Sequence, residues 1–181
     1  MDGIVMGSPL AFGIWLFVAG CAVAGMNMMG VGAQPMDKVG GSCASVYKWV
    51  GVSLLLIGTP LILITNGAGP MSAWVAVIWG MFGVIFFAFG ECITKGLDFR
   101  PVAYFTFVTG IMCAMGVYMA NQLGSVDFAV GLTFATLTCF SCVVAMHMKL
   151  AWFKIGGALF MCVAVWWTYV AIKLTIASVG L

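Results

Sequence analysis

The sequence predicts an all-α membrane protein of six transmembrane helices with both termini outside. Three observations carry that expectation. Of 181 residues, 64% are hydrophobic and only 7% are charged, against about 45–50% and about 25% in an average soluble domain. A soluble fold of this length would have too few charges to keep its surface in water. Apolar runs long enough to cross about 30 Å of hydrocarbon recur six times, at residues 9–30, 46–65, 72–94, 101–120, 126–147 and 151–176. Lysine and arginine fall almost entirely in alternate loops, the pattern that fixes topology in a bilayer.

The breakers between helices have local reasons. Gly40-Gly41-Ser42 separates the first and second helices, and Asn66-Gly67-Ala68-Gly69-Pro70 separates the second and third. Lys95-Gly96-Leu97-Asp98 precedes the fourth, and Asn121-Gln122-Leu123-Gly124-Ser125 precedes the fifth. Gly, Asn, Ser and Pro are the residues that favour turns. Pro101 suits a first helical turn, where its missing N–H leaves no bond unmade. Thr59-Pro60 lies inside the second helix and predicts a kink.

Orientation follows from the cations. Lys38 and Lys48 flank the first loop, Lys95 and Arg100 the third, and Lys149 and Lys154 the fifth, while the second and fourth loops contain none. The cationic loops are assigned to the cytoplasm. Lys173 snorkels at the outer end of the last helix, and Asp2 and Asp127 are the outer acids. Trp49, Trp152 and Trp74 open helices, as interfacial belt residues do. Trp166 and Trp167 sit mid-helix, which a belt does not explain. Gly20 and Ala24, Gly110 and Ala114, and Gly116, Ala120 and Gly124 recur at four-residue spacing, which permits close helix approach.

These features exclude several function classes. Seven dispersed cations form no nucleic-acid patch. Residues 1–181 read as a single transmembrane domain without room for a soluble catalytic unit. No nucleophile–base set and no phosphate loop is present, so no enzyme is expected. Met1-Asp2-Gly3 lacks the basic start of a signal peptide. The seven cysteines lie mostly in apolar runs, where Cys acts as a small hydrophobe. Cys139-Phe-Ser-Cys142 with Met146-His147-Met148 fits a soft-metal site, but it lacks a second Cys pair or second His, and no metal or other cofactor is expected. The single His147 rules out bis-histidine haem.

Polar groups at membrane depth are candidates for function. Asn27 reads more readily as an interhelical hydrogen bonder than as a solute ligand. Glu91 reads equally well as a pore group and as an acid paired with Lys95, four residues on. No Lys, Arg, Asp or His falls in the middle of a span. That argues against an ion-coupled pump and for passive passage of a neutral solute, or for no transport.

The third loop, Lys95-Gly96-Leu97-Asp98-Phe99-Arg100-Pro101, running on through Tyr104, Phe105, Phe107 and Val108, resembles the G-L-D-W-R-P stretch of the UreI/AmiS family of urea and short-chain amide channels. Leu16-Phe17-Val18-Ala19-Gly20 is similar to that family's first helix. Val46-Tyr47-Lys48-Trp49-Val50-Gly51, Gly58-Thr59-Pro60 and Ile64-Thr65-Asn66-Gly67 are similar to its N-F-F-V-G…T-P…T-A-N-G segment. The resemblance spans essentially the whole chain. It implies three helical hairpins around a pore in each protomer, a homo-hexamer, and a bacterial or archaeal cytoplasmic membrane.

Alignment through the third-loop motif of Gly96, Leu97, Asp98, Arg100 and Pro101 implies a pore lining. It comprises Ala19, Val23 and Asn27; Val84, Ala88 and Glu91; Phe128, Leu132, Ala135 and Cys139; and Trp166. The family's pore aromatics are replaced at Val84 and Ala88 and along the Phe128–Cys139 face, and its carboxylate on the sixth helix falls near Gly157. Trp15, Trp166 and Trp167 are candidates to refill the space. The outer loops hold no His, so no activation by external acid is expected. Gly7-Ser8-Pro9-Leu10-Ala11 partly resembles the N-P-A-P-L-G-L start of the acetate and succinate permease family, which makes a monocarboxylate permease the second expectation. A non-transporting subunit of a membrane complex is the third.

Overall fold

The structure, a computed structural model, describes residues 9–30, 36–66, 68–147 and 151–178, with backbone alone for Pro9, residues 36–40 and Ala151. The Lys38 side chain, Asp2, Met148 and Lys149 therefore lie outside the described residues. All regular elements among the described residues are helical: α1 Pro9–Met29, α2 Met36–Ser53, α3 Thr59–Thr65, α4 Ser72–Lys95, α5 Arg100–Gln122, α6 Val126–His147 and α7 Ala151–Ser178. They make six segments long and apolar enough to cross a membrane: Leu10–Met29, Gly41–Thr65, Gly69–Lys95, Arg100–Gln122, Val126–His147 and Trp152–Ser178. The chain is thus built as a multi-pass membrane protein.

Two element boundaries differ from the sequence expectation. Gly40-Gly41-Ser42 does not end a loop; α2 begins at Met36 and runs straight through it. Ala44 and Tyr47 are buried immediately after, and that tertiary contact outweighs the roughly 1 kcal/mol cost of each helical glycine. The expected kink at Pro60 takes the form of a π-turn over Leu54–Gly58 between α2 and α3. Pro60 has no N–H to give the Leu56 carbonyl, and its ring crowds that carbonyl. Widening the preceding turn relieves the clash.

The stops are as the sequence suggests. Asn66 closes α3 in the left-handed region at φ 50°, its N–H bonded to the Ile62 carbonyl. Gly96 closes α4 at φ 63°, and Leu97 N–H returns to the Cys92 carbonyl at 3.0 Å, a Schellman-type stop. Asp98 then starts α5. Its carboxylate accepts the Arg100 N–H at 2.9 Å and Arg100 Nε at 2.6 Å, and Pro101 occupies the first turn. Gly96, Asp98, Arg100 and Pro101 of this motif therefore have local helix-stop or helix-start roles, and Leu97 contributes its backbone N–H while its side chain is exposed.

The second and third spans pack against each other, the fourth packs on the fifth, the fifth on the sixth, and α1 closes on α7. In a bilayer such contacts depend on close fit rather than on escape from water. Several of the close fits are backbone on backbone. A Cβ on Gly51 would lie 2.6 Å from the Gly83 carbonyl oxygen, and one on Gly83 would lie 2.9 Å from the Gly51 oxygen. Seven residues further along α4, a Cβ on Gly90 would lie 2.6 Å from the Ala44 oxygen. Gly25 of α1 and Gly157 of α7 face each other in the same way, each virtual Cβ 2.9 Å from the other's oxygen.

Charges sit at the two ends of the bundle. At one end Glu91 is clasped by Lys48 at 2.5 Å, across the second and third spans, and by Lys95. Arg100 and Asp98 pair in the adjoining loop. At the other end Lys173 of α7 meets Asp127 of α6 at 2.6 Å. The first of these is called the cationic end below.

Candidate functional site

A cavity of about 380 Å³ opens at the cationic end among α1, α2, α4 and α7. Its walls are Phe86, Phe89, Phe99, Phe153 and Phe160, with Asn27, Tyr47 and Lys154 as its polar members. Asn27 donates an Nδ2–H to the Tyr47 hydroxyl at 3.2 Å. This pair is the polar point of an otherwise apolar vestibule. Lys154 is exposed at its rim.

The vestibule ends on packed aromatic rings. Tyr47 and Phe86 stack at 6.3 Å with planes 9° apart. Phe86 in turn meets Phe17 at 6.3 Å, Phe82 at 6.4 Å and Phe160 at 6.5 Å, and Phe17 meets Phe82 at 4.8 Å. All five rings are at most 6% exposed. Such ring pairs contribute about 0.5–1.5 kcal/mol each beyond area. Ile14 and Cys21 of α1 are fully buried beside this cluster, so the middle of the bundle is filled on this side.

Hydroxyl groups contribute little at span depth. Every threonine except Thr59 donates to the carbonyl four residues earlier on its own helix, a common way for membrane helices to satisfy the group. Among the described residues, four buried polar atoms have no protein partner: Thr59 Oγ1, Trp74 Nε1, Ser141 Oγ and Trp167 Nε1.

The residues expected to line a pore fall in three groups. Phe128, Leu132, Ala135 and Cys139 come together on one face of α6: the last three are buried, and Phe128 packs edge-on to Trp167 at 5.2 Å. Asn27 reaches the vestibule, while Val23 and Ala88 are half-buried against the core. Ala19 is exposed and Val84 is 39% exposed, so both face away from the interior. Glu91 has both carboxylate oxygens taken by lysines at the bundle end, and that ion-pair role is its place in the fold. Trp166 donates Nε1–H to the Asp127 carbonyl at 2.9 Å and meets Tyr169 at a tilt of 50°. Trp74, read as a belt residue, instead packs inward against Gly116 of α5.

The inward residues of α4 are Phe82, Phe86 and Phe89, two positions before the expected Val84, Ala88 and Glu91. Two residues turn a helix by about 200°, so the motif alignment selects nearly the opposite face. The i, i+4, i+7 aromatic spacing was the available signal. Tyr47 and Phe160 carried none beyond their type. Cys139 and Cys142 are buried free thiols, and among the described residues no three His, Cys, Asp or Glu side chains converge to hold a metal ion.

The architecture is that of a six-span helical membrane bundle with an aromatic vestibule at one end. No family model, curated protein or solved structure matches the chain.

Proposed function

We propose that the chain is a passive membrane conduit for a small neutral solute such as urea or a short-chain amide. One observation carries the reading: between the two charged ends, every described polar side chain at span depth is neutral. These are the Asn27–Tyr47 pair, threonines bonded to their own helices, and the partnerless indole and hydroxyl atoms. A pump needs a group that changes charge during its cycle, and a neutral interior suits a neutral cargo. The resemblance to the UreI/AmiS family points the same way. On this reading the cationic end faces the cytoplasm, both termini lie outside, and the spans form three hairpins. The protein assembles as a homo-hexamer in a bacterial or archaeal cytoplasmic membrane, and the Phe17–Phe82–Phe86 cluster is a gate closed in this conformation.

A second reading, a non-transporting subunit of a membrane complex, is favoured by that same filled middle. Stopped-flow flux of urea, acetamide and acetate into proteoliposomes separates the readings. The channel reading expects urea and acetamide to enter faster than into protein-free vesicles, with equal rates at external pH 5 and pH 7.5. Acetate flux that rises toward the acid's pKa would move the assignment to a monocarboxylate permease. No flux of any of the three, with co-purifying membrane subunits, would establish the second reading.

A further inference from the structure

The part of the bundle away from the vestibule buries two indole N–H groups that no acceptor receives, on Trp167 and Trp74. Trp167 is 3% exposed. A buried donor left unmade costs about 1–3 kcal/mol, so two in one region call for a physical cause. Both are seated against glycine. A Cβ on Gly131 would lie 3.0 Å from Trp167 Nε1, and one on Gly116 would lie 2.8 Å from Trp74 Nε1. A Cβ on Gly116 would also lie 3.0 Å from Cδ1 of Leu132, the residue beside Gly131, so the two indoles sit near the same stretch of the α5–α6 packing. Trp166, the neighbour of Trp167, does find an acceptor in the Asp127 carbonyl, whereas nothing in the surroundings of Trp167 accepts its proton.

A second cavity adjoins this region. It measures about 240 Å³ and is lined by Ala68, Pro70, Met71, Leu123, Ser125 and Phe128. Phe128 stands edge-on to Trp167, with planes 85° apart, so its ring borders both the cavity and the indole. Trp167 itself does not line this cavity. Its indole lies behind the Phe128 ring and packs on Gly131, so a small molecule in the cavity reaches the donor only when that ring swings aside.

We infer that Trp167 Nε1 is a docking point for the carbonyl oxygen of a permeating neutral solute, with Phe128 as the apolar wall in front of it. The inference rests on the channel reading for its role in transit. It makes a hydrogen-bond acceptor a requirement for passage. A resident water is the competing occupant.

The test is a titration of nanodisc-embedded protein, labelled with ¹⁵N at the indole nitrogens, with acetamide. The Trp167 N–H resonance, identified by its absence in Trp167→Phe, should shift saturably, while that of Trp49, 73% exposed, stays in place. Trp167→Phe in proteoliposomes should lower acetamide flux by about threefold to tenfold, the worth of one neutral hydrogen bond. A Trp167 resonance unmoved by acetamide, as a resident water would leave it, overturns the inference even where wild-type flux is present. A shifting resonance without wild-type flux keeps the docking point and sinks the channel reading.

Discussion

The two ends of the bundle differ in how they treat the polar groups of their aromatic side chains. At the cationic end Asn27 is bonded to Tyr47, Glu91 is held by two lysines, and rings pack on rings. At the far end Trp166 is bonded to the Asp127 carbonyl and Lys173 to the Asp127 carboxylate, but the indoles of Trp74 and Trp167 rest on glycines with their N–H groups unmade. A site that meets its own hydrogen-bonding needs is a wall. One that leaves donors desolvated and empty-handed is able to bind, because an incoming acceptor recovers a bond the fold did not make.

Substitutions can break this contrast, and their expected effects are ordered. Gly83→Leu should be the most damaging. Its side chain would meet the Gly51 carbonyl and Leu55 Cγ, at 2.9 and 2.8 Å already from the Cβ, and backbone cannot yield as a side-chain tip does. A loss of about 3 kcal/mol should appear as aggregation on size exclusion or a sharp fall in melting temperature in detergent.

Phe86→Ala comes next. It removes the ring shared by Tyr47, Phe17, Phe82 and Phe160 and should cost about 3 kcal/mol. The same change should raise urea flux if those rings are the gate. A destabilised variant with unchanged flux would mean that they only pack.

Tyr47→Phe takes the acceptor from Asn27 and should cost about 1 kcal/mol, with a smaller change in flux than Phe86→Ala. Glu91→Gln should cost little stability, less than Tyr47→Phe, because the clasp is solvent-screened. Flux should be unaltered, and a large loss would restore Glu91 to the pore.

The smallest effect belongs to the third loop. Hydrogen bonds from the Arg100 side chain and backbone hold the Asp98 carboxyl below the usual carboxylate range. A depressed folded-state pKa gives stability that is present above the ordinary value near 3.9 and lost as pH falls through the depressed one. The melting temperature of Arg100→Gln should therefore lie slightly below wild type at pH 7, with the gap closing under strong acid.

Much of the fold was legible because a bilayer imposes few solutions. Runs of apolar residues, turn residues between them and the alternation of cations predicted six spans, and the Gly96–Pro101 capping device is local chemistry. Less of the site was legible, and the reason is rotational. The close crossings at Gly51–Gly83 and Ala44–Gly90 pair residues on different helices, whereas a search for four-residue spacing finds only one helix at a time. Of the spaced glycines, Gly124 turned out to be a turn residue at φ 68°. Reading α4 two positions late exchanged the aromatic Phe82–Phe86–Phe89 face for one whose Val84 points outward and whose Ala88 is only half-buried.

By itself, then, the sequence determined the number of spans, their boundaries to within a turn in most cases, and the gathering of cations at one end. These depend on hydropathy and on backbone conformations that single residues prefer. Only the tertiary structure decided which helical face looks inward, that Glu91 answers to Lys48 as well as Lys95, and that Trp167 is left without an acceptor. Those outcomes depend on helix rotation and on atoms brought together from distant parts of the chain, where a shift of two residues reverses a face and a single carbonyl decides whether a donor is satisfied.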